Sequence, residues 1–223
     1  MSLTLVIGDK TYSSWSLRAA LALELTGAPY SEQLITLNRP DTRARILQHS
    51  PTGKVPLLIS DDGVIWDSLA IGEYLAECFP SAQLWPQSRA ARALARSMCA
   101  EMHSGFVALR SHLPMDLKRN QALTEIPVDA LADIQRICAL WAECRQRFGQ
   151  GGGFLFGQAG LADAFFAPVA ARLRSYQVPL PAEAAAYVET IYQWPAFQRC
   201  IKPLRRNNWR EAYSCGRCGD SRC

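Results

Sequence analysis

Tyr12-Ser13-Ser14-Trp15-Ser16-Leu17-Arg18 decides how this chain is read, because of what flanks it. Before it, Leu3-Thr4-Leu5-Val6-Ile7 has the composition of a short buried strand. After it, Leu17, Leu21 and Leu25 recur at helical spacing with Ala20 beside them. The pattern predicts a helix from Ser14 to Thr26, stopped by Gly27-Ala28-Pro29. A cluster of hydroxyls therefore falls at a strand-to-helix turn. A helix N-terminus there offers unpaired N–H groups and a partial positive charge. One serine of the set is expected to cap the helix. The others are free to meet an anion, and a thiolate is an anion.

From this turn the first 80 residues alternate as β-α-β-α-β-β-α. Tyr30 to Leu37 reads as a second strand and Asp41 to Gln48 as a short charged helix. Pro56-Leu57-Leu58-Ile59 reads as a third strand, Asp61-Asp62-Gly63 as a hairpin turn and Val64-Ile65-Trp66 as a fourth strand. Ser68 to Phe79 closes the unit as a helix with Ile71, Tyr74, Leu75 and Cys78 on one face. A βαβ unit followed by a hairpin and a last helix predicts a thioredoxin-like domain at 1–80, with a mixed four-stranded sheet.

Pro80 to Pro86 reads as a linker, after which no strand pattern occurs. Ser88 to Leu113 reads as one long helix ended by Pro114, and Val128 to Phe148 as another, with Leu131, Ile134, Cys138, Trp141 and Phe148 in register. Leu161 to Arg174 is strongly apolar, and two shorter helices follow near 182–192 and 196–201. Residues 88–205 are thus expected to form an all-α bundle, with 206–223 a flexible tail. The fold class is α/β plus all-α.

Composition narrows the function classes. The chain has 223 residues, 49% of them hydrophobic, enough for a substantial core. A net charge of +4, without aromatic residues interleaved among the basic ones, argues against a nucleic-acid partner. The longest apolar run, Ala164 to Ala171, is too short for a bilayer, and no secretory signal pattern opens the chain. A cytoplasmic protein with no membrane partner is expected. Cys78, Cys99, Cys138, Cys144 and Cys200 fall mostly in apolar helical patterns, as small hydrophobes in a reducing compartment do. Cys215-Gly-Arg-Cys218 and Cys223 lie in the tail, with no nearby His to complete a metal site, so no metal is expected.

Three further points carry chemistry. Val55-Pro56 opens the third strand; a cis bond there would turn the Val55 backbone outward as an edge for an extended peptide. Asp67-Ser68 precedes the third helix, where Asp is a good cap and Ser68 with the helix N–H groups could hold a carboxylate. Asp67 would repel that carboxylate unless the ligand also carries an ammonium, as the α-carbon of an amino acid does. Lys54 could pair a second carboxylate. Thiol, peptide backbone, amino-acid zwitterion and terminal carboxylate together describe glutathione.

On these residues the chain resembles the glutathione transferase superfamily, in its bacterial serine-type, zeta- or theta-like branch. The resemblance runs through Tyr12 to Arg18, Ser50-Pro51-Thr52-Gly53-Lys54-Val55-Pro56, Asp67-Ser68-Leu69-Ala70-Ile71 with Glu73-Tyr74-Leu75, and Gly160-Leu161-Ala162-Asp163. The last looks like the family's capping box, with Gly160 where Ser or Thr is usual, so only the Asp163 half can form. The resemblance implies a homodimer, glutathione as co-substrate and a serine that holds its thiolate, with Ser14 first, Ser13 second and Tyr12 third. No cysteine stands at the turn, which argues against the branches that form a mixed disulfide. A thiol of pKa ~8.5 needs about 2.7 kcal/mol of differential stabilisation to drop about two units, within reach of one charge-assisted hydrogen bond plus a helix terminus. The expected activity is attack of that thiolate on a small hydrophobic electrophile. Isomerisation of a maleylacetoacetate-like diacid is the alternative, with Arg18 and Arg110 available for its carboxylates. A non-catalytic binding module on the same fold is the third reading. The electrophile is expected between the sheet and the long helix, near Tyr12, Met98, Met102, His103, Phe106 and Arg110.

Overall fold

A computed structural model describes residues 1–202. The first unit runs β1 (Thr4–Ile7), α1 (Ser14–Thr26), β2 (Ser31–Leu34), α2 (Thr42–Leu47), β3 (Leu57–Ser60), β4 (Gly63–Trp66) and α3 (Ser68–Cys78). The sheet order is β2-β1-β3-β4. β1 pairs in parallel with β2, and β3 runs antiparallel to both β1 and β4. This is the expected mixed sheet, with Asp61 and Asp62 in the hairpin turn. Alternate residues of β1 face opposite sides: Leu5 and Ile7 join the main core under α1 and α3, while Val6 joins Ile35, Ile46 and Leu57 under α2.

A short 3-10 turn (Pro80–Ala82) leads to the helices α4 (Arg89–Ser104), α5 (Val107–His112), α6 (Val128–Phe148), α7 (Leu161–Ser175), α8 (Ala182–Gln193) and α9 (Pro195–Ile201). One core runs through both units. Along its seam α1 packs on α7, and Gly72 of α3 sits so close to Leu161 that a Cβ would come within 3.2 Å of it. Glu73 fastens the linker to α4, accepting from Arg96 Nε and Nη2 at 2.9 Å each and from Trp85 Nε1 at 3.1 Å. The start of α7 docks under Leu84, whose carbonyl accepts the Leu161 N–H at 2.9 Å. A Cβ on Gly160 would lie 2.9 Å from that same oxygen, which explains why no Ser or Thr stands there. The remaining half of the box forms: Asp163 Oδ2 accepts the Gly160 N–H at 2.9 Å, and Oδ1 accepts from Leu155 N and Tyr187 Oη.

The expected long helix 88–113 is two. α4 stops at Ser104, Phe106 takes a left-handed φ of 54°, and α5 begins anew. Distant groups hold the break. Arg110 Nη1 donates to the carbonyls of His103 and Gly105 at 3.3 Å each, and Asp133 on α6 accepts the Leu109 N–H at 2.9 Å. Those partners satisfy backbone groups that a continuous helix would have paired itself. On α6, Leu131 turns outward, and Ala130, Ile134, Ile137, Leu140, Trp141 and Cys144 are the buried residues. Cys99, Cys144 and Cys200 are buried free thiols, as the apolar patterns suggested. Residues 203–205 of the expected bundle, the tail 206–223, and with it Cys215, Cys218 and Cys223, lie outside the described residues.

Candidate functional site

A cleft of about 670 Å³ opens where the turn before α1, the loop before β3 and the start of α3 meet α4. The sheet order brings these segments together, because β1 and β3 are neighbours and β4 delivers α3 beside them. Ser13, Lys54, Val55, Pro56, Asp67 and Ser68 all line it. Trp15, Trp66, Leu37 and Ile46 give it apolar walls, and His103 of α4 reaches in from the helical unit.

Ser13 is the cap of α1. Its Oγ accepts the Ser16 N–H at 3.3 Å and lies 2.9 Å from Ser16 Oγ, which also accepts the Gly8 N–H at 3.0 Å. The N-cap conformation, φ −92° and ψ 95°, places Ser13 in the wall of the cleft. Ser14, one residue on, faces the other way: its Oγ accepts Arg172 Nη2 from α7 at 3.3 Å. Of the two serines, Ser13 lines the cleft and Ser14 does not. Tyr12 is about half exposed, outside the cleft lining, with the Lys118 ammonium 5.8 Å from its ring.

The Val55–Pro56 peptide is cis. Asp67 supplies the cap of α3, its Oδ1 accepting the Leu69 N–H at 2.8 Å. It does so from φ 74°, a region that disfavours any side chain and costs about 1–3 kcal/mol. Its Oδ2 lies 3.3 Å from His103 Nε2. Ser68 Oγ is buried beside it and, among the described residues, has no hydrogen-bond partner. Lys54 forms no ion pair there either. An unfilled hydroxyl, a carboxylate and an ammonium thus converge on one cavity.

The expected electrophile-side group is not brought together. Met102 and Met98 are fully packed core, and Phe106 turns into the core at the α4–α5 break. Arg110 is occupied by the carbonyls of that break and lies over Trp15, 5.3 Å from its ring centre. Only His103 of that set lines the cleft, edge-on to Trp15 at 5.0 Å. Trp15 and Trp66, which wall the cleft, were not singled out from the sequence; an aromatic at the thiol turn and another at the end of the hairpin were the available signals.

Family models for the glutathione S-transferase N-terminal and C-terminal domains match residues 12–78 and 91–215. A probable maleylacetoacetate isomerase of Caenorhabditis elegans is 34% identical over 44% of this chain and 46% of its own length. Glutathione S-transferase 1 of Dianthus caryophyllus is 40% identical over 37% of this chain, so the matched stretches span less than half of either relative (38% in this case). Glutathione S-transferase Z2 of Arabidopsis thaliana matches more of the chain, 27% identical over 86% of it and 90% of the relative. Among solved structures, a glutathione transferase homolog from Burkholderia with bound glutathione has a TM-score of 0.70 at 24% identity, covering 90% of this chain and 97% of that one. A maleyl pyruvate isomerase described as a bacterial zeta-class glutathione S-transferase has a TM-score of 0.69 at 22% identity, over 88% and 95%. With both domain models matched in order, the chain belongs to the glutathione S-transferase family.

Proposed function

We propose that this protein is a glutathione transferase that binds glutathione in the cleft between Ser13, Val55 and Ser68 and attacks a small electrophile with its thiolate. The observation that carries the reading is the meeting, in one cavity, of a capping serine, the Val55-Pro56 segment just ahead of β3 and the Asp67-Ser68 helix start. Ser13 Oγ donates to the sulfur, its proton swinging from Ser16 to the thiolate, and the N–H groups of α1 add their partial charge. The thiol proton leaves to solvent, so no base is required. The Val55 backbone pairs with the peptide, Ser68 Oγ and the α3 terminus take the α-carboxylate, Asp67 takes the α-ammonium, and Lys54 takes the remaining carboxylate. Trp15 and Trp66 shield the sulfur and offer an apolar surface to the electrophile.

A diacid isomerase is the second reading, favoured by the names of the Caenorhabditis relative and of the maleyl pyruvate isomerase. It uses the same thiolate on a different electrophile. We also infer a homodimer working in the cytoplasm without a metal, on family resemblance. The test is calorimetric titration with glutathione beside a conjugation assay on a chromogenic aryl halide. Binding with turnover is expected. Binding without turnover on aryl halides or unsaturated diacids would leave a binding module, and no binding would overturn the assignment of the cleft.

A further inference from the structure

Arg18 is a buried cation that the fold leaves unmatched. It has no exposed surface, and none of its three guanidinium nitrogens has a hydrogen-bond partner among the described residues. It is packed between the rings of Trp15 and Phe165, 4.5 and 5.1 Å from their centres. Arg172 of α7 is buried beside it, with Nη1 on the Pro168 carbonyl, Nη2 on Ser14 Oγ and Nε unpaired. Arg110 completes a cluster of three, its guanidinium also over Trp15. Among the described residues no carboxylate lies within ion-pair distance of any of them. The groups press on one another: burial, then Arg172 and Arg110, bring Arg18 down to about 9, and burial, then Arg110, bring Arg172 to about 10.

Such an arrangement is costly, since buried charges are ordinarily paired. It also lies at the positive end of α1 and directly behind Trp15, a wall of the cleft. The other charged groups facing this region do not cancel it. Lys54 adds to the positive potential. Asp67 opposes it, but acts on Arg18 less than Arg172 and Arg110 do. Lys10 and Glu32 neutralise each other at 2.8 Å. Cys99, beneath Arg18 on α4, is held as a neutral thiol, its pKa pushed well up by burial.

We propose that the glutathione thiolate is the anion whose charge this cluster balances, Arg18 acting through its field across Trp15 and Arg172 through its field from behind Ser14. The proposal rests on the reading of the cleft given above. The step is an ionisation: the S–H bond breaks, the electron pair stays on sulfur and the proton leaves to water. Three guanidinium groups hold the resulting charge without any of them giving up a proton.

The experiment titrates the thiolate absorbance of bound glutathione in the wild type, Arg172→Gln and Arg172→Lys, with the pH profile of kcat/KM alongside. Arg172→Gln is expected to raise the bound-thiol pKa by about one unit, a roughly tenfold loss of rate at acidic pH that closes at alkaline pH. KM for glutathione should stay within about twofold of the wild type, and Arg172→Lys should recover most of the shift. Should Arg172→Gln not fold, Arg110→Gln removes a half-buried member of the same cluster and is expected to shift the pKa the same way by about half a unit. An unchanged thiol pKa in a folded variant, with activity lost equally at every pH, would make the arginines merely structural and overturn the proposal. So would a rise confined to the KM of an acidic electrophile, which would assign the cluster to that substrate's carboxylate. A wild type whose bound thiol titrates like free glutathione would sink the transferase reading and this proposal together. A depressed wild-type pKa matched by the variants would sink this proposal alone.

Discussion

His103 Nε2 lies 3.3 Å from Asp67 Oδ2, joining the first turn of α3 in the α/β unit to the end of α4 in the helical unit. The contact holds Asp67 at the cleft in a backbone conformation that glycine would adopt more readily, with φ at 74°. Asp67→Gly should therefore separate binding from stability. Relief of about 1–3 kcal/mol of strain offsets the loss of the Leu69 cap, which is worth about 1 kcal/mol. The melting temperature should hold or rise, while KM for glutathione climbs about tenfold for want of one charge-assisted contact. A large fall in melting temperature would show that Asp67 is there for the fold.

Ser68 makes the complementary case. Its hydroxyl is buried without a partner, a cost the folded protein carries until a ligand supplies one. Ser68→Ala should stabilise the free protein by up to about 1 kcal/mol and weaken glutathione binding by about 1–2 kcal/mol. Differential scanning with and without glutathione reads both terms, and equal melting shifts in the two conditions would contradict the assignment.

Much of this was legible in the sequence, for a physical reason in each case. The strand, hydroxyl cluster and leucine repeat around Ser13 and Ser14 are local, and α1 and α6 begin and end where capping and periodicity place them. Val55-Pro56 and Asp67-Ser68 announced themselves as a strand opening and a helix start. The break at Phe106 did not, because Arg110 and Asp133 hold it from other turns and another helix. Ser13 sits just outside α1 as its cap and Ser14 just inside it, and no residue pattern encodes which of them lines the cleft. Nor could composition show that Arg172, 158 residues away, would close on Ser14.

Arg18 should trade stability against activity. Burial lowers its pKa from the usual arginine range to about 9, so the guanidinium is still charged at neutral pH, at a cost. Arg18→Met should stabilise the protein by about 1–4 kcal/mol at pH 7 while slowing turnover. Above about 9 the folded chain sheds this proton while the unfolded one still holds it, so wild-type stability gains from rising pH there. Denaturant midpoints should show the wild type closing on Arg18→Met from pH 7 to 10. A destabilised Arg18→Met would contradict the view of Arg18 as an unpaired buried charge.

Asp163 anchors the helical unit. Its two oxygens accept from Leu155 N, Gly160 N and Tyr187 Oη at 2.9–3.1 Å, and burial raises its pKa to about 6 against those donors. Asp163→Asn turns an amide N–H toward groups that are all donors. We expect a loss of about 3 kcal/mol in chemical denaturation at pH 7, with glutathione affinity unchanged in the folded fraction. A loss below about 0.5 kcal/mol would remove Asp163 from the anchoring role.

The most direct test of the account is the thiolate absorbance of bound glutathione, titrated in the wild type, Ser13→Ala and Ser14→Ala. The cleft geometry predicts a wild-type pKa about two units below that of the free tripeptide, most of the depression lost in Ser13→Ala and a smaller part in Ser14→Ala. A bound thiol that titrates like the free one, or a larger loss in Ser14→Ala than in Ser13→Ala, would contradict it.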